Sequence, residues 1–80
     1  MPTLLRWNGF RFYVFSSDGN EPAHVHIDRD GATAKYWLTP VRLARNIGFN
    51  PRDLRILEAK VEEEQVRFLE AWRDYFNTQA

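Results

Sequence analysis

The sequence predicts an α+β fold in which a four-stranded antiparallel sheet of two hairpins is followed by a short helix and a long C-terminal helix. Three observations support this prediction. Asn-Gly and Asp-Gly turns separate apolar runs in the first half, two Pro-containing starts mark the second half, and nothing breaks a helix between residues 51 and 76. A chain of 80 residues suits one domain with one core. We therefore expect a single domain over 1–80, with strands within about 3–38 and both helices on one face of the sheet.

Turn residues set the boundaries of the four predicted strands. The Asn-Gly dipeptide at 8–9 lies between two apolar runs, and it is typical of a type I′ turn because both central residues need positive φ. The polar segment 16–22 is rich in turn residues and leads into a third strand over 24–28. The Asp-Gly dipeptide at 30–31 then predicts a tight turn into a fourth strand over 32–38.

Two dipeptides that end in proline predict the helices. The Thr-Pro dipeptide at 39–40 combines a preferred N-cap residue with a residue suited to the first helical position, where no amide donor is needed. It predicts a short helix over about 40–46. The Asn-Pro dipeptide at 50–51 repeats the signal, and apolar residues then recur at helical steps, which predicts a long helix over about 51–76.

The last predicted helix is longer than the sheet, so the apolar side chains at its far end must be buried in some other way. A helix of about 26 residues spans about 39 Å, whereas a seven-residue strand spans about 23 Å. One end should therefore extend past the sheet while it still carries large apolar side chains. We expect that the helix bends back, that it packs diagonally with a frayed end, or that a partner chain binds Phe68, Trp72 and Phe76.

Composition excludes several classes of protein. The chain has no cysteine, which rules out disulfides and thiolate metal sites. Its start lacks the pattern of a signal peptide, and no apolar run is long enough for a membrane span, so we expect a cytoplasmic protein with no membrane partner. Residues 1–60 carry nine Lys or Arg against six Asp or Glu, whereas residues 61–80 carry two against five. This asymmetry is milder than the basic patch of a dedicated nucleic-acid-binding protein.

The segment 21–28, Glu-Pro-Ala-His-Val-His-Ile-Asp, contains both histidines of the chain. In an extended strand His24, His26 and Asp28 share one face, while the two aliphatic residues between them face the core. We expect both imidazoles to be accessible on the face away from the long helix. We also expect the Glu21 carboxylate or a loop carbonyl to hydrogen-bond one of them, because proline stiffens the preceding loop.

The residues of this strand suit metal binding or metal-free RNA cleavage, and a third interpretation gives the histidines no chemical role. His24 and His26 could ligate zinc, iron(II), nickel or manganese, with Asp28 or Glu21 as third ligand. Alternatively, histidines could act as acid and base in metal-free RNA cleavage, with a cation from Lys35, Arg29 or Arg11. Solvated histidines on the polar face of a strand would explain the same pattern.

Four segments of the chain together resemble a known family. They are Met-Pro-Thr-Leu-Leu-Arg at 1–6, Glu-Pro-Ala-His-Val-His at 21–26, Ala-Lys-Tyr-Trp-Leu at 34–38 and Leu-Ala-Arg-Asn-Ile-Gly-Phe at 43–49. This combination is similar to the small bacterial proteins grouped as domain of unknown function family 4160, although members commonly carry a second proline where this chain has Ala23. The resemblance implies a neighbouring small gene, in an arrangement similar to toxin–antitoxin pairs.

We therefore expect a small interaction module, acting as a homo-oligomer or with a cognate small protein. Abundant aromatic residues and the overlong helix favour this class. Nucleic acid would be reached through the partner. The alternative is a ribonuclease-like toxin or metal-binding enzyme that uses the His24 and His26 face with Lys35. We expect no cofactor, although the two histidines could bind a divalent metal.

Overall fold

The computed structural model describes residues 2–77 and contains five strands followed by two helices. The class is α+β, as the sequence predicts. The elements are β1 (Thr3–Trp7), β2 (Phe10–Tyr13), a 3-10 helix (Ser16–Asn20), β3 (His24–Arg29), β4 (Ala32–Leu38), β5 (Val41–Ile47), α1 (Pro51–Glu63) and α2 (Gln65–Asn77).

Each strand pairs with the next one in the chain, so the sheet is an antiparallel meander in the order β1-β2-β3-β4-β5. The first turn places Asn8 at φ 50° and Gly9 at φ 81°, and the third places Asp30 at φ 49° and Gly31 at φ 86°. Positive φ at both central residues is the backbone that Asn-Gly and Asp-Gly favour. The two hairpins predicted from these dipeptides are confirmed.

The helix predicted over 40–46 is wrong, because this segment forms β5. Thr39 and Pro40 occupy the turn of a third hairpin, and β5 pairs with β4 along its length. Pairing of backbone groups across the hairpin outweighs a local helix start signal, since propensity is a weak prior that tertiary context overrides. The β5 strand is one edge of the sheet, and six of its seven residues are exposed.

The helix predicted over 51–76 is divided at Glu64. This residue has φ −98° and ψ 11°, and α2 begins at the next position. The Gln65 side chain donates a hydrogen bond to the Leu38 carbonyl at 2.6 Å, which ties the break to the end of β4. The chain therefore bends back, the first of the alternatives raised by its length.

The core lies between one face of the sheet and the helices. Val25 and Ile27 of β3 are fully buried there, as the alternation of the strand predicts. Phe68 of α2 is 0% exposed, and its ring centroid lies 5.6 Å from that of Phe12. Buried residues from strands and helices form one cluster: Phe10, Phe12, Val25, Ile27, Ala34, Tyr36, Leu38, Phe49, Leu57, Val61 and Phe68. Within residues 2–77 no helix is long and apolar enough to cross a membrane.

The second half of α2 covers the 3-10 helix and the start of β3. The ring of Trp72 lies 5.1 Å from that of His24, and Trp72 in turn packs on Phe76 at 4.3 Å. A Cβ on Gly19 would lie 2.9 Å from Phe76 Cδ1, so the ring packs directly on the glycine backbone. Phe68 is thus buried by its own chain, whereas Trp72 and Phe76 are partly buried by it.

Tyr36 provides a test of this packing. Its hydroxyl donates to the Leu54 carbonyl at 2.9 Å, and burial raises the pKa of Tyr36 to about 12 from an ordinary value near 10. Tyr36→Phe should lower the free energy of unfolding by about 1 kcal/mol at neutral pH. Because the folded-state pKa is the higher one, the stabilisation is complete below pH 10 and is lost as the pH rises towards 12.

Chemical denaturation from pH 8 to 12 would measure both effects. The native protein should lose stability over the upper part of this range more steeply than Tyr36→Phe. The same pH dependence in both proteins would contradict the prediction.

Candidate metal centre

Three side chains meet where the 3-10 helix folds over the start of β3. Because β3 is extended, His24 and His26 project to the same side of the strand. Asp18 lies against both, with Oδ2 at 3.2 Å from His24 Nε2 and 3.0 Å from His26 Nε2. The three potential ligand atoms all lie within 4.8 Å of one another. We call these three residues the Asp18 triad.

The backbone of its own turn fixes the Asp18 carboxylate. The Phe15 amide donates to Asp18 Oδ2 at 2.8 Å, and the Glu21 amide donates to the Asp18 carbonyl at 3.1 Å. Burial by itself would raise the pKa of Asp18, but the Phe15 amide and the two imidazoles outweigh it and leave the pKa lowered. The carboxylate is therefore ionised at neutral pH.

His24 is fully enclosed, at 0% exposure. The indole rings of Trp37 and Trp72 lie 5.5 and 5.1 Å from the imidazole. The prediction of an accessible His24 ring is therefore wrong, and the reason is the bend at Glu64, which brings α2 over the start of β3.

Both ring nitrogens of His24 have defined surroundings. Nδ1 lies 2.9 Å from the Pro22 carbonyl, which can only accept, so Nδ1 carries a proton and donates it. This contact confirms the predicted hydrogen bond between an imidazole and a loop carbonyl. Nε2 is buried and has no hydrogen-bond partner among the described residues, although Asp18 Oδ2 is close, because the geometry is not that of a hydrogen bond. The Nδ1 contact thus holds the ring with Nε2 close to the carboxylate.

His26 forms the more open side of the triad. Its side chain is 15% exposed, its ring is stacked on Tyr13 at 5.4 Å, and the edge of Phe15 lies 4.7 Å away. Burial lowers the pKa of His26, and this effect exceeds the opposing attraction of Asp18. The ring is therefore neutral at pH 7, which is the state that binds metals.

The other predicted site residues divide into two groups. Lys35 and Glu21 lie beside the triad and form an ion pair at 2.6 Å, with the Lys35 ammonium 4.5 Å from the Trp37 ring centroid. Asp28 instead accepts the Tyr13 hydroxyl, at 3.0 Å to each oxygen. Neither Asp28 nor Glu21 is the third member of the cluster.

Arg29 lies away from the histidines. Its guanidinium binds Asp53 at 3.1 Å and lies over the Phe10 ring at 3.9 Å. Phe68, Trp72 and Phe76 are packed within the chain, and of these only Trp72 contacts the triad.

Sequence reasoning missed Asp18. The residue belongs to a polar turn, where Asp-Gly is common for reasons of backbone conformation alone. Asp18 reaches the histidines because the 3-10 helix folds back against the start of β3. No residue pattern in the sequence predicts that this helix folds back. The signal was thus present only as an acidic residue in the loop before two histidines.

A groove of about 460 Å³ opens beside the triad on the face of the sheet opposite the helices. Asp18 and His26 reach it, together with Lys35 and Glu21. Its apolar walls come from Tyr13, Phe15, Trp37 and Ile47, and Arg45 of β5 lies at its far side. An ion held by the triad would thus be approached from this groove.

Residues 9–73 match the family described as Domain of unknown function (DUF4160). The chain belongs to this family. The matched range includes the whole Asp18 triad and all the residues that line the groove of this DUF4160 domain. Comparison with curated proteins gave no match, and comparison with solved structures gave none.

The role of Asp18 in the fold can be tested against that of Glu21. Asp18→Ala should lower the free energy of unfolding by about 2 kcal/mol, because the Phe15 amide and the His26 ring lose their acceptor in a buried place. Glu21→Ala should have little effect, since Glu21 forms an exposed ion pair. Urea denaturation of both variants without added metal would measure the difference. Equal effects would show that the triad is not a built part of the fold.

Proposed function

We propose that this DUF4160 domain binds a divalent first-row transition metal ion through Asp18, His24 and His26, and that it works as a metal-dependent enzyme. The observation that carries the proposal is the environment of His24. A fully buried imidazole donates Nδ1–H to a backbone carbonyl, and its Nε2, which has no hydrogen-bond partner among the described residues, lies 3.2 Å from a carboxylate oxygen. Ligating histidines are typically oriented in this way, with the second nitrogen bound to a carbonyl or carboxylate.

The distances from Asp18 Oδ2 to the two imidazole nitrogens also suit an ion. Two ligand atoms that are each about 2.1 Å from one metal lie about 3.4 Å apart at a tetrahedral angle and about 3.0 Å apart at a right angle. Asp18 Oδ2 lies 3.2 and 3.0 Å from the two imidazole nitrogens. Small rotations of the side chains would therefore complete the coordination.

The donor set indicates which metals fit. Two imidazoles and one carboxylate, with no thiolate in the chain, suit zinc, iron(II), manganese or nickel. Three protein ligands leave at least one coordination position for water or substrate, which is typical of catalytic sites, whereas structural zinc sites are usually closed by four. Bound water on such an ion becomes a nucleophile near neutral pH, which supports hydrolytic chemistry.

The same geometry argues against metal-free cleavage by two histidines. A general acid and base must reach the proton that they transfer. His24 is enclosed by Trp37 and Trp72 and cannot meet a substrate in this conformation. Of the two imidazoles, only that of His26 is partly exposed.

Metal titration would test the proposal directly. Co²⁺ should bind one ion per chain with visible d–d absorption, and Zn²⁺ should compete for the same site in calorimetry. Asp18→Asn and His26→Gln should weaken Zn²⁺ binding by at least about tenfold, the scale for losing even an outer-shell partner. A hundredfold excess of metal over Kd should stabilise the native protein by about 2.7 kcal/mol.

Asp28→Asn provides the matched control, because Asp28 lies on the same face of β3 but binds Tyr13. This variant should keep native affinity for both ions. Circular dichroism would establish that each variant is folded. If folded native protein binds no ion, or if Asp28→Asn is as impaired as Asp18→Asn, the proposal is wrong.

A second candidate function is association with a cognate small protein, as a toxin–antitoxin-like pair. The observation that favours it is the exposed edge strand β5, where Leu43 is 37% and Ile47 is 49% exposed. An edge strand can pair with an added strand of another chain. The strand carries two arginines and no acidic residue, so the partner segment that fits is extended and acidic. The family resemblance implies that such genes often lie beside another small gene, whose product is the candidate partner.

Leu43→Glu would test this association. It places a negative charge on β5 and should weaken binding to the neighbouring gene product by about tenfold or more, equivalent to about 1.4 kcal/mol. Val66→Glu is the matched control, since Val66 is exposed on α2. Native mass spectrometry of the co-expressed proteins, followed by calorimetry, would measure both. An equal loss in the two variants, or no complex with the native protein, would contradict the association through β5.

A further inference from the structure

We propose that the groove beside the Asp18 triad binds a nucleotide unit, with its phosphate between the triad and Arg45 and its base against the aromatic wall. The proposal deepens the proposed metal function and rests on it for one of its two anchoring points. Arg45 and the groove walls are independent of the metal.

The sheet register aligns four side chains across four strands. Tyr13 of β2 is the cross-strand partner of His26, His26 is the partner of Lys35, and Lys35 is the partner of Arg45 of β5. Directly paired residues project from the same face. One row on the face opposite the helices therefore runs from an aromatic residue through a triad member to two cations.

Charge compensation along this row leaves one cation uncompensated. Glu21 neutralises Lys35 at 2.6 Å, and His26 is neutral at pH 7. Arg45 is exposed and has no ion pair within residues 2–77. Its guanidinium is suited to hold phosphate oxygens in a bidentate manner.

The span between the anchoring points limits the size of the ligand. His26 and Arg45 lie two strand spacings apart, or about 10 Å. A metal ion near His26 would add positive charge at the other end of this span. A phosphate ester can reach both ends, and the groove volume of about 460 Å³ lies within the range of small-molecule sites.

The groove walls favour a base over a bare phosphate. Phe15 and Trp37 are partly exposed and line the groove together with the aliphatic side chain of Ile47. Nucleobases stack on such rings without regard to sequence. Phosphate at the cationic end and a ring at the aromatic wall together describe a nucleotide, either free or within a single strand.

The test compares two sources of nucleotide with inorganic phosphate. Calorimetry would use adenosine monophosphate and inorganic phosphate, and fluorescence anisotropy would use a labelled single-stranded RNA hexamer. Each measurement would be made with chelator and with saturating Zn²⁺. We expect Arg45→Ala to weaken nucleotide binding by about tenfold, the scale of a charge-assisted contact, and to reduce the salt dependence of hexamer binding by about one phosphate.

Arg52→Ala is the matched control. It removes the same charge from an exposed position at the start of α1, outside the groove residues, and should retain native affinity. Tighter binding of the hexamer than of the monophosphate would identify a strand as the ligand, and the reverse would identify a free nucleotide. Either result supports the inference. Equal affinity for inorganic phosphate and for both nucleotides would overturn it.

The two proposals fail separately. If Zn²⁺ does not bind but nucleotide binding depends on Arg45, the metal function is wrong and the groove assignment stands on its second anchor. Arg45→Ala could instead bind both Zn²⁺ and nucleotide with the affinities of the native chain. In that case the groove inference is wrong and the metal function stands. The nucleotide site would also be wrong if Arg45→Ala lost binding to the partner protein but bound nucleotide as tightly as the native chain.

Discussion

The Asp18 carboxylate and the two imidazoles that face it hold the site and the adjoining part of the fold together. A buried carboxylate is costly unless hydrogen bonds and positive or polar partners surround it. The Phe15 amide and His26 supply these partners, and the result ties the 3-10 helix to the start of β3. The position of the loop, the orientation of His26 and the shape of the groove all follow from this one carboxylate.

The bend at Glu64 is the second constraint, because it decides what covers the triad. A straight continuation of α1 would leave the aromatic residues of α2 beyond the sheet. The break instead lets Phe68 enter the core and brings Trp72 against His24. Enclosing His24 excludes water from one side of the triad and leaves access from the groove. The same packing that stabilises α2 thus gives the triad one closed side and one open side.

The sheet presents two surfaces to other molecules, the groove face and the exposed edge strand β5. The β3 and β4 strands are central, and their side chains alternate between the helix-covered core and the groove face. The β5 strand is an edge and stays exposed along most of its length. Arg45 belongs to both surfaces, since it lies on the edge strand and faces the groove. Association at the edge and ligand binding in the groove would therefore influence each other through this residue.

Several elements could be predicted because their signals are local. The Asn-Gly and Asp-Gly dipeptides set positive φ and with it the two hairpins, and alternation in β3 placed Val25 and Ile27 in the core. Lys35 lies near the histidines because it is the cross-strand partner of His26. The Thr-Pro dipeptide at 39–40 gave a wrong prediction of a helix, although its signal is also local. Its local signal suits both a helix start and a hairpin turn, and only pairing with β4 selects the turn.

The sequence by itself determined the α+β class, the histidine strand and the faces of its residues, since these depend on dihedral preferences and on a period of two. Only the tertiary structure decided that Asp18, rather than Asp28 or Glu21, meets the histidines, that β5 is a strand, and that Trp72 encloses His24. Each of these depends on contacts between separate segments, from neighbouring ones for Asp18 and for β5 to distant ones for Trp72 and His24. Their free energy comes from burial and hydrogen bonding in the assembled fold, and no short stretch of residues carries that information.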